Sequence, residues 1–167
     1  TTGDAPIDVG TLTLGTPARV VLPRGTAMRL TFVRDGAGEP ARFADDLLGH
    51  RLGDEAVGAG VPTPHLPLAG IESDPREVVV RPGRWRVFAT RGPEFEVSET
   101  TFEARAGGTV ALAITPPPRA FETHGWISAD LHVHSGASDD SPLPTSQRLV
   151  TFAAEGAEVL VASEHDM

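Results

Sequence analysis

Apolar and polar positions alternate with a period of two through most of the first 115 residues. The segments TLTLG, ARVVLP and AMRLTFVRDG come first, and REVVVRPGRWRVFATRG, EFEVSETTFEAR and GTVALAITP follow a long Gly/Pro-rich stretch. The pattern is clearest where Trp85, Val87 and Ala89 alternate with Arg84, Arg86 and Phe88, since successive side chains of a strand point to opposite faces of a sheet. Pro82 and Gly83 supply a turn before this strand. Short strands broken by frequent Gly and Pro turns predict an antiparallel β-sandwich.

Residues 35–75 interrupt this pattern. DGAGEP and VGAGVPTPHLPLAG flank FADDLLGHRL, which has room for one or two helical turns. A loop this long in a compact domain is expected to be a cover or a binding loop. His50 and His65 read as ordinary surface histidines, and the DD and DE pairs as solvated charge. The PPP run at 116–118 cannot continue a paired strand. It divides the chain into a β-sandwich domain, 1–118, and a second region, 119–167. Trp126 just beyond it reads as a packing residue between the two, with His124 nearby.

Past the linker the period changes. ADLHV reads as a strand, and SPLPTSQRLVTFAAEG as a short amphipathic helix. Ser141 or Thr145 is its N-cap, Leu149, Val150, Phe152 and Ala153 form its apolar stripe, and Gly156 stops it. AEVLVAS, 157–163, is a largely apolar run expected of a strand covered on both faces in a parallel sheet. Strand, helix and strand make one βαβ unit. The predicted fold is therefore mixed α and β, mainly β: a β-sandwich followed by a βαβ unit.

The chemistry sits at the ends of these last two strands. In DLHVHSGASDD, strand parity puts Asp130, His132 and His134 on one face and Leu131 and Val133 on the other. Two imidazoles two residues apart can hold one divalent ion, because neutral imidazole is a common ligand of zinc, iron and manganese. Asp139 lies in a Gly/Ser-rich loop able to fold back and add an oxygen ligand, and Asp130 is placed to orient a histidine. An H-x-H alone carries little weight. Here a second cluster, EHD at 164–166, ends the next strand, so both fall on the carboxyl edge where parallel sheets and barrels place their chemistry.

DLHVHSGASDD followed about thirty residues later by VLVASEHD resembles motifs I and II of the PHP (polymerase and histidinol phosphatase) superfamily. GWISADLHVHS with the preceding PGRWRVFATRGPEFEV is similar to the CehA/McbA-type branch, in which a β-rich domain precedes the barrel. The VRPGRWRVFATRG stretch is also similar to carboxypeptidase-regulatory or transthyretin-like modules. The resemblance implies a distorted (β/α)7 barrel with up to three divalent ions (zinc, manganese or iron), and hydrolysis of phosphoesters, esters or amides. It makes His132, His134, Asp139 and His165 metal ligands, with Asp130, Glu164 and Asp166 supporting them from behind. Many relatives have Asp where Glu164 stands. The family's later Glu, His and Asp-x-His ligands have no counterpart before Met167, so the chain is expected to hold only the first βαβ unit of the barrel. It should then need the remaining barrel segment, or another protomer, to complete the site.

Composition narrows the partners. The net charge is −9 and all 14 basic residues are Arg, which argues against nucleic-acid binding. No stretch is long and apolar enough to span a membrane, and the absence of Cys rules out a disulfide framework. Thr1 reads as a processed or excised start, which together with the resemblance favours a periplasmic or secreted location. Two other functions stay open: a non-catalytic β-sandwich binding module with a remnant βαβ unit, and an amidohydrolase-superfamily enzyme, which also places H-x-H after its first strand. Attack by Ser135 or Ser138 is a remote route, because no base is suitably placed in the sequence.

Overall fold

A computed structural model describes residue 11 and residues 15–35 and 65–165. The TLTLG strand, FADDLLGHRL, His50 and Asp166 therefore lie wholly or largely outside the described residues. Those described are mainly β, with nine strands and one helix.

Two sheets make up the first part. In one, β1 (Ala18–Val21) lies between β4 (Glu77–Val80) and β7 (Thr109–Ala111). In the other, the order is β3 (His65–Ala69), β2 (Ala27–Arg34), β5 (Gly83–Thr90) and β6 (Ser98–Ala104). The second sheet is antiparallel throughout, but β1 pairs with β7 in parallel. That pair departs from the antiparallel expectation. After β6 the chain turns at Gly107 (φ +70) and crosses to the other sheet, where Gly107 N–H donates to Pro17 O and Arg19 N–H to Gly108 O. A strand arriving from the opposite sheet is free to run alongside β1. His65, expected in a loop, is in β3 and sits 2.9 Å from the Thr31 hydroxyl through Nδ1.

Alternation explains the core. Val20, Val78 and Val80 of the first sheet and Met28, Leu30, Phe32, Trp85, Val87 and Ala89 of the second belong to one buried cluster. Each buried side chain of this size contributes about 1.5–3 kcal/mol relative to leaving it in water. Trp85 is fully buried and its indole N–H donates to Arg81 O at 2.9 Å, so burial leaves no orphaned donor.

The second region is β8 (Ala129–Val133), α1 (Thr145–Ala154) and β9 (Val159–Ala162), with β8 and β9 paired in parallel. Helix α1 packs on β2 and β3. It lies on their outer face, because Arg29, between the buried Met28 and Leu30, reaches Glu155 at 2.7 Å. Two glycines permit the close approach. Gly92 (φ +81) and Gly156 (φ +78) have a left-handed backbone, and a Cβ would stand 2.1 Å from Glu155 O at the first and 2.7 Å from Arg91 O at the second. The proline linker is pinned to the same turn, since Glu96 N–H donates to Pro118 O and Ala120 N–H to Glu94 O.

Two side-chain expectations need correction. Trp126 is 83% exposed and packs nothing between the two parts; the 92–96 turn and the helix end make that contact instead. Neither Ser141 nor Thr145 caps α1. Pro144 occupies the N-cap without a side-chain bond, the buried Ser141 hydroxyl accepts from Arg148, and the Thr145 hydroxyl bonds Ser135.

Candidate functional site

The site forms where β8 and β9 end. Asp130 pairs with Leu160 and Val133 with Ala162, so β8 has one residue more than its partner between these points. This bulge shifts the side-chain phase, as an extra residue does in any ladder. The expectation that Asp130 shares a face with the histidines assumes an unbroken strand, and β8 is irregular between Asp130 and Val133. The Asp130 carboxylate accepts the backbone N–H of His132 at 3.0 Å and not a ring N–H.

Beyond β8, two tight contacts fold residues 134–144 back over the strand ends: Gly136 N–H to Leu143 O at 2.6 Å and Ser138 N–H to Ser135 O at 2.8 Å. Three imidazoles and one carboxylate meet there. His132 Nε2 and His134 Nε2 are 3.0 Å apart, His134 Nδ1 lies 2.9 Å from Asp140 Oδ2, and His165 Nε2 lies 3.3 Å from the same oxygen. The His134 ring stands 4.8 Å from that of His132 and 4.6 Å from that of His165. A carboxylate facing Nδ1 of His134 holds the proton on that nitrogen and leaves Nε2 as a lone pair turned toward His132. Two nitrogens at this distance need a proton or a cation between them.

Of the residues expected at the site, His132, His134 and His165 come together. Asp139 is exposed and outside the contact set, while its neighbour Asp140 joins it. The spacing of ligands along a Gly/Ser-rich loop could not separate adjacent carboxylates; the turn at Ser138 decides between them. Its hydrogen bonds, chiefly to His134, hold the Asp140 carboxyl below the usual carboxylate value.

Glu164 has a different environment. It accepts the Ser135 hydroxyl at 2.5 Å, the Ser138 hydroxyl at 2.5 Å and the Ser135 backbone N–H at 3.0 Å. These bonds, the Ser135 hydroxyl first, lower its pKa to about 2. Ser135 and Ser138 are buried and committed to this carboxylate, so neither hydroxyl is poised as a nucleophile. Residue patterning gave no signal for Asp140 over Asp139, or for the bond between Ser135 and Thr145.

His134, Asp140 and His165 form a group of the kind that could hold a metal ion. Ligand atoms of His134, Asp140 and His165 lie within 4.8 Å of one another. Two bonds of about 2.0–2.2 Å at a tetrahedral angle span about 3.4 Å, so closure of all three on one ion takes a shift of about 1 Å or more. The separation of 3.0 Å between His132 and His134 nitrogens already equals the bite of two bonds of that length meeting near a right angle. Searches of protein-family models, curated proteins and solved structures each found no match to this chain.

Proposed function

We propose that this chain carries the first part of a divalent-metal-dependent hydrolase of the PHP type, a β-sandwich followed by the opening βαβ unit of the barrel. The observation that carries the reading is the meeting of His132, His134 and His165 with Asp140 at the carboxyl ends of two adjacent parallel strands. His132 and His134 would hold the ion through Nε2, with His165 completing the protein ligands. Asp140 accepts the Nδ1 proton of His134, which fixes the tautomer and keeps the other nitrogen free to ligate. An ion held by these residues would supply Lewis acidity, both to a water and to the phosphoryl or carbonyl oxygen of the substrate. The substrate class is a small phosphoester, ester or amide.

The surface supports a need for more protein around the site. Leu131, Val159 and Val161 of the β8–β9 sheet are exposed, whereas parallel sheets are ordinarily covered on both faces. The remaining barrel segment or another protomer would cover this face and add ligands. Among the described residues no helix is long and apolar enough to cross a membrane.

The test is to purify residues 1–167, measure bound zinc, manganese and iron, and assay phosphoester and aryl-ester hydrolysis beside a His132→Ala, His134→Ala double variant. Weak binding of an ion, lost in the double variant, with little turnover is expected. Binding that survives in the double variant would refute the site, and robust turnover that it abolishes would refute the need for a further segment.

A further inference from the structure

The carboxylate of Glu164 binds Ser135 and Ser138, and Ser135 in turn meets Thr145. Ser135 follows β8, Ser138 sits in the middle of the loop, Thr145 opens α1, and Glu164 itself follows β9. Ser135 gives Glu164 both its backbone N–H (3.0 Å) and its hydroxyl proton (2.5 Å). With that proton committed, the contact of 2.6 Å between Ser135 Oγ and Thr145 Oγ1 has Thr145 as its donor. Ser138 likewise gives its only hydroxyl proton to Glu164, and its oxygen accepts the backbone N–H of His165 at 3.1 Å.

We infer that Glu164 is a positioning residue: with Ser135, Ser138 and Thr145 it forms a strut that sets the distance between His134 and His165 without itself ligating an ion. The inference rests on the metal reading above. Each histidine is tied to the strut through the main chain, His134 through its neighbour Ser135 and His165 directly through Ser138 Oγ. Three donors already occupy the carboxylate, two on one oxygen and one on the other, which commits it to Ser135 and Ser138. The strut also couples the site to the start of α1, whose far end is docked on the two-sheet part through Glu155.

Chemistry distinguishes a strut from a ligand. In Glu164→Gln the amide oxygen can still accept the Ser135 N–H and the Ser138 hydroxyl, while its NH2 donates to Ser135 Oγ and the Ser135–Thr145 bond reverses. A strut survives this change and a charged ligand does not. The experiment titrates cobalt(II) into the full chain by visible absorption for Glu164→Ala, Ser138→Ala and Glu164→Gln, and follows amide hydrogen exchange in the metal-free proteins. We expect Glu164→Ala and Ser138→Ala to weaken cobalt binding about tenfold to a hundredfold with the absorption band unmoved, and Glu164→Gln to restore most of the affinity. The His165 amide should exchange faster in both Ala variants, with Leu30 and Val87 amides unchanged. A Gln variant as weak as the Ala variant, a shifted band in Gln, or unaltered affinity in both Ala variants would overturn the strut. Should Glu164→Ala not fold, Ser138→Ala carries the same two readouts. If the unsubstituted chain binds no cobalt, the metal reading fails and the exchange arm decides alone: acceleration at His165 upholds the strut and its absence overturns it.

Discussion

Replacing Gly92 by Ala tests how the helix is held to the sheets. Gly92 has φ +81, and its new Cβ would stand 2.1 Å from the Glu155 carbonyl oxygen and 3.0 Å from the carbonyl carbon. Ordinary carbon–oxygen contacts begin near 3.3 Å, so the end of α1 must retreat by roughly 1 Å. The obstacle is backbone and cannot swing aside as a side chain would. The left-handed conformation alone costs an alanine about 1–2 kcal/mol; adding the clash brings the expected loss to about 2–4 kcal/mol. Breaking the half-exposed Arg29–Glu155 pair adds little. Gly25 is the control, because it has φ +76 and open space around its Cβ, so Gly25→Ala should lose only about 1–2 kcal/mol. Urea unfolding of both variants gives the difference, and amide exchange in α1 locates it. Equal losses in the two variants, or protection of α1 undisturbed by Gly92→Ala, would refute the docking described here.

Further outcomes follow from the same contacts. Leu30→Ala, at a fully buried position, should lose about 2–5 kcal/mol in urea unfolding, whereas Leu149→Ala, at a position 53% exposed, should change stability by roughly 0.5 kcal/mol or less. The folded Glu164 carboxyl has its pKa lowered from 4.5 to about 2. Its contribution is therefore fully present above pH 4.5 and is lost as pH falls toward 2. The stability gap between the unsubstituted chain and Glu164→Gln should shrink over that window in acid titrations followed by circular dichroism. Leu131→Ser with Val161→Ser removes apolar surface from the open face of the β8–β9 sheet and should reduce self-association in sedimentation velocity without lowering the unfolding midpoint.

Much of the architecture was legible because it depends on periodicity. The alternation around Trp85, Val87 and Ala89 marked the buried face of β5, and the change of pattern past the prolines marked the strand, helix, strand segment. Features set by contacts distant in sequence were not legible. The parallel pairing of β7 with β1 depends on a crossing between sheets, and the exposure of Trp126 on where the helix end docks. Leu149 fits an apolar stripe on helical spacing yet is largely exposed, whereas the small residue Ala154 is the one the helix buries. At the site, residue types and strand ends pointed to the three histidines. The irregularity between Asp130 and Val133 and the turn at Ser138 have no distinctive sequence signature, and residue types alone did not say which of two adjacent aspartates joins the histidines.

The central claim is that His132, His134 and His165 share a divalent ion. X-ray absorption at the zinc edge of the zinc-loaded chain tests it most directly, because the first shell reports ligand type and distance. The account predicts imidazole nitrogens at about 2.0–2.1 Å, with the imidazole scattering reduced in His134→Ala. A shell of oxygen alone, or a nitrogen shell unchanged in His134→Ala, would contradict it.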